Sequence, residues 1–139
     1  MKRSALCLVV AIGLALPPPA AAQVSVNINI SMPPAIVASR PPQLVVLPET
    51  YVYVAPEYDI DIYFYDGWWW RSWDRRWYRS RSYSSSWIYY QGEPHFYRRV
   101  PREWRHWYRE RRWRELRWDY RPIPWHEVER NWRDWEQSR

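Results

Sequence analysis

The chain has 139 residues, a formal net charge of +6 at pH 7 and a single cysteine, Cys7. This length suits one small domain, the positive charge favours anionic partners, and one cysteine excludes an intramolecular disulfide. Its 13 Trp, 12 Tyr and 2 Phe all follow residue 50, where aliphatic residues are scarce. Any core in that region must therefore be built mainly from aromatic rings.

The N-terminus has the pattern of a secretory signal peptide, predicted over residues 1–22. Lys2 and Arg3 precede an apolar run over residues 5–16, and three alanines follow at residues 20–22. That run is too short to span a bilayer, and no later segment approaches the required length. We expect cleavage before Gln23 and a mature chain without a transmembrane segment, located in the periplasm or outside the cell, where it could lie peripherally on the outer membrane.

Residues 23–42 are predicted to form an N-terminal strand and a proline-rich linker. Residues 23–31 alternate Val or Ile with Ser or Asn, which is typical of a half-buried strand. Residues 32–42 are bracketed by proline pairs, which favour an extended linker.

Residues 43–100 are predicted to form an aromatic β-meander of three to five short antiparallel strands. Two of these short strands, over residues 43–47 and 50–54, precede the central hairpin. Asp66-Gly67 between alternating runs is a strong hairpin signal. This turn predicts the register Tyr65–Trp68, Phe64–Trp69, Tyr63–Trp70 and Ile62–Arg71. A second turn at Asp74-Arg75 and a last strand over residues 86–90 complete the sheet.

Residues 101–139 are predicted to form an Arg/Trp-rich helical tail, which makes the fold class α+β with two C-terminal helices. Residues 102–120 lack Gly and Pro and contain the i,i+4 pairs Glu110–Arg114 and Arg111–Glu115. A continuous helix there would place its aromatic residues on two opposite faces: Trp104, Trp107, Tyr108 and Trp118 against Trp113, Leu116 and Tyr120. It must bend, break near residues 109–112 or project from the sheet.

The second helix is predicted to begin at Pro124, whose missing N–H suits a helix start. One apolar stripe follows at helical spacing: Trp125, Val128, Trp132 and Trp135. We predict that this stripe packs against the sheet, the preceding helix or a partner. Together with the turn residues Asp66 and Gly67, its four members are the predicted structural residues.

Several segments resemble a family of small exported, Tyr/Trp-rich bacterial envelope proteins of unknown function. The resemblance covers roughly residues 41–136 and rests on a Pro-rich entry, the strand TYVYV, the hairpin FYDGWWWR, the segment RRWYRS and the tail NWRDWE. The chain departs from the pattern at Arg75, where Gly would suit the turn, and in the additional Trp and Arg of residues 102–118. The resemblance implies the fold and an envelope location, and it implies no chemistry.

The sequence indicates neither a catalytic nor a cofactor site. His95, His106 and His126 lack the spacing of metal ligands. Asp59 and Asp61 lie on one side of a predicted strand and could serve a hydrolase, although neighbouring arginines explain them more simply. We therefore expect a non-enzymatic protein without metal or cofactor.

Interleaved Trp and Arg suit anionic partners such as lipid, lipopolysaccharide or polysaccharide. Export argues against nucleic acid, although the same composition suits it. The predicted binding residues are Trp68, Trp70, Arg71, Trp104, Trp107, Arg111 and Arg112. The leading hypothesis is an envelope structural or binding module. The alternative is a protein–protein docking module that acts through the sheet edge or the Trp stripe of the last helix.

Overall fold

The structure, a computed structural model, describes residues 30–138. The predicted signal peptide and most of the predicted strand over residues 23–31 lie outside these residues. Nine strands are present in the described chain: β1 Gln43–Val46, β2 Tyr53–Val54, β3 Ile62–Tyr65, β4 Trp68–Trp73, β5 Arg76–Ser80, β6 Ile88–Tyr90, β7 Arg112–Trp113, β8 Leu116–Arg117 and β9 Ile123–Pro124. Two α-helices, α1 Trp104–Glu110 and α2 Trp125–Gln137, and a 3-10 helix, His95–Arg99, complete the fold.

The main sheet is antiparallel and has seven strands in the order β6-β5-β4-β3-β2-β1-β9. The first six strands follow one another as a meander, and β9 adds to its edge beside β1. The α+β class, the meander and the two C-terminal helices are confirmed. The predicted count of three to five strands is too low, because residues 43–54 give two paired strands and the tail contributes β9.

Both predicted hairpin turns are confirmed in register. Tyr65 lies opposite Trp68 across the Asp66-Gly67 turn, and Trp73 lies opposite Arg76 across the Asp74-Arg75 turn. All four turn residues have positive φ, the conformation that a two-residue type I′ turn requires. Asp and Gly favour this conformation at the first turn, which explains why the alternation in the sequence predicted the pairing.

Each face of the sheet carries its own core. The first face, defined by Tyr63, Trp70 and Trp77, is covered by the 3-10 helix, α1 and the two-stranded β7-β8 hairpin. The second face, defined by Phe64, Trp69 and Tyr78, is covered by α2 and approached by residues 30–36. Because alternate residues of a strand point to opposite faces, the aromatic run of β4 supplies both cores.

The helix predicted over residues 102–120 is broken near residues 109–112, one of the three alternatives that its opposed aromatic faces left open. Helix α1 ends at Arg111, which has φ 51° and closes the helix in the left-handed conformation. The chain then turns back through the β7-β8 hairpin. The predicted i,i+4 pairs Glu110–Arg114 and Arg111–Glu115 therefore do not lie on a common helix. This path buries Trp113 and Trp118 in the same core as Trp104, whereas a continuous helix would have placed Trp113 on the face opposite to the other two.

Helix α2 follows the prediction. It begins directly after Pro124 and buries Val128 and Trp132 against the second face, with Trp125 and Trp135 partly buried beside them. The ring of Trp132 packs edge-on against Phe64 at a centroid distance of 6.4 Å. The predicted stripe is therefore packed against the sheet within the described chain.

Candidate anion-binding surface

Trp68 at the start of β4 carries two arginine side chains on its ring. The guanidinium carbon of Arg79 lies 4.3 Å from the ring centroid, and that of Arg81 lies 3.5 Å from it. We call these three residues the Trp68 arginine cluster. Distances this short place both guanidinium groups within the range of cation–π attraction.

The strand register explains how the cluster forms. Trp70 pairs with Arg79 and Trp69 pairs with Ser80, so the same register extended by one residue sets Arg81 opposite Trp68. Opposite and diagonal residues of an antiparallel pair share one face and lie within reach of long side chains. The β4-β5 pairing therefore brings both arginines to the ring of Trp68.

The Asp66-Gly67 turn fixes the other side of the cluster. A guanidinium nitrogen of Arg81, Nη1, donates a hydrogen bond of 2.6 Å to the carbonyl oxygen of Gly67. A Cβ atom at Gly67 would lie 3.0 Å from Cζ2 of Trp132 and 3.3 Å from Nη1 of Arg81. Gly67 is thus required by its φ of 71° and by the close approach of both neighbours.

Further arginines surround this end of the sheet. Nη2 of Arg99, on the 3-10 helix, donates to the hydroxyl of Tyr65 at 3.1 Å, next to the turn. On the other side, Arg130 and Arg133 of α2 line a shallow cavity of about 340 Å³ together with Gly67 and Arg81. Three elements therefore contribute cations around one turn.

One acidic residue, Glu129, borders this cavity and contacts the sheet. Glu129 lines the same cavity and is half-buried, and its Oε1 accepts a hydrogen bond of 2.7 Å from Nε1 of Trp69. Burial raises the pKa of the Glu129 carboxyl above its ordinary value, and the hydrogen bond from Trp69 opposes this only in part. One carboxylate oxygen of Glu129 is thus already engaged by a strand residue.

No salt bridge within residues 30–138 engages the arginines of this surface. The ion pairs of the described chain include Arg105–Asp61 at 2.8 Å and Arg117–Asp119 at 2.7 Å, both away from the turn. Arg79, Arg81 and Arg99 have no carboxylate oxygen of the described residues within 4.0 Å. The positive charge of the surface is therefore available to an external anion.

The predicted binding residues fall into different environments. Trp68 is partly exposed at the turn, whereas Trp70 and Trp104 are buried in the core of the first face. Arg71 is also buried, but it lies on the second face, so the structure separates it from Trp68 and Trp70.

The remaining predicted binding residues lie around the end of α1. Trp107 packs against Trp113 at a centroid distance of 5.1 Å. Arg111 lies over the ring of Tyr120 at 5.2 Å, and Arg112 is exposed at the start of β7. These residues belong to the cover of the first face and make no described contact with the Trp68 arginine cluster.

Arg79 and Arg81 were not among the predicted binding residues. The signal was present, because the predicted turns at Asp66-Gly67 and Asp74-Arg75 together set the two arginines beside Trp68 and Trp70. Extending the cross-strand pairing from β4 to β5 would have found them.

Other chemistries have little support among the described residues. No group of three or more His, Cys, Asp or Glu side chains could hold a metal ion in this part of the chain. The Asp61 carboxylate accepts a hydrogen bond of 2.8 Å from Nε of Arg105, as expected for a carboxylate that pairs with an arginine. None of the helices in residues 30–138 has the length and apolar character needed to cross a membrane.

Comparison with known proteins adds no assignment. No protein-family model, no curated protein and no solved structure matches the chain. The resemblance to envelope proteins stays a prediction.

Proposed function

We propose that this protein is a non-enzymatic, exported module of the cell envelope that binds an anionic partner through the Trp68 arginine cluster. The observation that carries the proposal is the stacking of Arg79 and Arg81 on one ring, 4.3 and 3.5 Å from its centroid, without a carboxylate. Phosphate or carboxylate groups of a lipid, lipopolysaccharide or polysaccharide are the partners that fit it.

The electrostatics of the cluster support an external anion. Two guanidinium groups on one ring repel each other, and an anion between or above them would relieve that repulsion. A guanidinium that lies over a ring can still donate hydrogen bonds to phosphate or carboxylate oxygens, and Arg81 has nitrogens other than the Nη1 that donates to Gly67. Stacking also reduces the conformational entropy that each arginine loses on binding.

The surroundings favour an extended partner over a small molecule. Arg99, Arg130 and Arg133 continue the positive charge around the turn, and the adjoining cavity is shallow. Trp is well suited to the boundary between water and lipid headgroups because its ring is apolar and its N–H is polar. A membrane or polymer surface that presents many anionic groups would contact all three elements at once.

Vesicle binding tests the proposal. Mature protein should co-sediment with vesicles of phosphatidylcholine and phosphatidylglycerol at low salt, and much less with phosphatidylcholine alone or at high salt. The variant Arg79→Gln/Arg81→Gln should bind the anionic vesicles about 30-fold more weakly, since each basic residue near an anionic surface contributes about 1 kcal/mol.

The matched control removes the same charge elsewhere. Arg102→Gln/Arg109→Gln changes two exposed arginines of the α1 region and should reduce binding only slightly. An equal loss in both variants would show a general effect of net charge. No salt-sensitive binding to anionic vesicles, or to an anionic envelope polysaccharide in the same assay, would contradict the proposal.

One observation favours the second candidate function, protein docking through the sheet edge. Strand β6 ends the sheet, and its Ile88 and Tyr89 are 57% and 38% exposed. An exposed edge with apolar side chains can pair with a strand of another protein. Such docking would be insensitive to salt and would be lost in Ile88→Pro, which distinguishes it from anion binding.

A further inference from the structure

A second concave region lies on the other side of the molecule from the first-face core. This cleft, of about 720 Å³, is bounded by residues 34–40 and residues 57–60. Arg71 of β4 lines it and is only 6% exposed. The cleft therefore combines an extended segment, a loop and a buried cation.

The guanidinium of Arg71 is only partly satisfied within residues 30–138. Its Nη1 donates to the carbonyl oxygen of Pro34 at 2.9 Å, and its Cζ lies 5.4 Å from the ring centroid of Trp87. Its Nε is buried and has no acceptor among the described residues. A buried N–H group without an acceptor is uncommon in proteins and requires an explanation.

The charge of Arg71 also lacks a counter-ion. No carboxylate oxygen of the described residues lies within 4.0 Å of it. All 15 Asp and Glu side chains of the chain lie between residues 49 and 136, so none precedes residue 30. No acidic side chain of this protein therefore neutralises the guanidinium.

Burial without a counter-ion is costly for a charged group. Desolvation lowers the pKa of Arg71 from its ordinary value, and no neighbouring charge opposes that shift. An anion bound in the cleft beside the guanidinium would reduce this penalty. The site is thus built for one anionic group.

The walls of the cleft define the rest of the ligand. Ile36, Val37 and Ile60 contribute apolar side chains to a lining that also contains the polar Ser39 and Arg40, and Val37 and Ile60 are 97% and 37% exposed. Glu57 and Asp59 are exposed at the same cleft and would repel a polyanion. A ligand with a single buried negative charge and an apolar body fits both features.

We infer that this cleft binds a small ligand or a chain terminus that has one carboxylate and an apolar side chain, with the carboxylate against the part of the Arg71 guanidinium that lines the cleft. A free carboxylic acid and the C-terminus of a peptide share this chemistry. The site is separate from the Trp68 arginine cluster, and either can fail without the other.

Two probes of equal shape test the inference: N-acetyl-leucine, which has a carboxylate, and N-acetyl-leucinamide, which does not. Titration of the mature protein followed by NMR should show roughly tenfold or greater preference for the acid, the factor that a charge-assisted hydrogen bond supplies. The guanidinium N–H resonances of Arg71 should move downfield as the acid binds. A terminal Leu-Leu peptide and its amide would then show whether a chain terminus is accepted.

Variants separate binding from folding. Arg71→Met keeps the length of the side chain and should abolish the preference for the acid. Because Arg71 is buried, this variant could fail to fold, so Glu57→Gln/Asp59→Asn is the second test. Removing these exposed acids should tighten binding of the acid about twofold or more and leave the amide unchanged.

Three results would overturn the inference. The acid and the amide could bind equally or not at all, the guanidinium N–H resonances of Arg71 could stay unmoved at saturation, or a folded Arg71→Met variant could retain the preference. Each would show that Arg71 has a structural role only, held by Pro34 and Trp87.

Discussion

The two faces of the main sheet are covered in different ways. On the first face, the cover after the 3-10 helix is a short helix and a two-stranded hairpin whose rings pack on one another, as Trp113 does on Trp107 and Trp118 at 5.1 and 5.2 Å. On the second face, a regular 13-residue helix presents a single stripe. Polar groups of the strands also cross to the covering elements there, from Trp69 to Glu129 at 2.7 Å and from Tyr78 to Ser31 at 2.8 Å.

This difference shows how an aromatic-rich sequence can bury both sides of one sheet. Trp and Tyr rings can form a core by contact with one another, and then an irregular cover suffices. Where polar atoms of the strands are buried, the cover must supply acceptors, and α2 and residues 31–34 do so. The second face should therefore respond to pH at Glu129, whose carboxyl accepts a hydrogen bond from a strand residue.

The largest expected effect is the loss of a buried ring from either cover. Trp132→Ala and Trp104→Ala should each lower the free energy of unfolding by about 3–5 kcal/mol, because both rings are under 10% exposed in their cores. Thermal melts measure this, and Trp135→Ala, which removes a partly buried ring of α2, is the control and should cost less. An unchanged melting temperature for Trp104→Ala would show that the cover of the first face does not contribute to the stability of the fold.

A smaller effect is expected at the turn that both covers approach. Gly67→Val should destabilise the fold by about 2 kcal/mol or more, because Val resists a φ of 71° and its Cβ would meet Trp132. Arg75→Gly, at φ 59° in the other turn, should be neutral or stabilising by up to about 1 kcal/mol. Chemical denaturation of both variants checks this order, and the reverse order would contradict the turn assignment.

The smallest expected effect is a pH dependence of the free energy of unfolding that involves Glu129 on the second face. Because the folded state raises the pKa of Glu129, it binds a proton more tightly than the unfolded chain does. This contribution to stability is present below the unfolded pKa and is lost as pH rises through the folded pKa. Glu129→Gln should therefore flatten the pH dependence and leave the protein more stable at neutral pH, by well under about 1 kcal/mol because solvent screens a half-buried group.

Melts between pH 4 and pH 7 measure that difference. Glu127→Gln, on the same helix, is the matched control and should follow the pH curve of the unchanged protein. Identical curves for Glu129→Gln and the unchanged protein would show that the second face has no acid-linked contact at this position.

Local signals predicted the parts of the fold that local chemistry decides. Asp66-Gly67 fixes the hairpin register because the turn type admits few other residues, and the 3-4-3 spacing from Trp125 to Trp135 predicts the packed face of α2. The hairpin within residues 102–120 was not predicted because Arg111 and Arg114 adopt positive φ, at 51° and 55°, without Gly or Asn to indicate it. Packing of Trp113 and Trp118 into one core outweighs that local cost.

The candidate site was predictable only in part. Trp68 was identified from its place in the hairpin, but its arginines come from β5, one strand further along the chain. Arg71 was predicted as a binding residue together with Trp70, although strand alternation places it on the face opposite to Trp70. The contact of Arg71 with Pro34 could not be predicted, because a proline-rich segment gives no periodicity from which its path over the sheet follows.

The central claim is that the surface at the Asp66-Gly67 turn, and neither covered face, meets the anionic partner. Hydrogen–deuterium exchange with and without vesicles of phosphatidylcholine and phosphatidylglycerol tests this most directly. The account predicts slower exchange for residues 66–68 and 79–82 when anionic vesicles are present, and no change with phosphatidylcholine alone. Protection confined to α1 and the β7-β8 hairpin, or no protection despite binding, would contradict it.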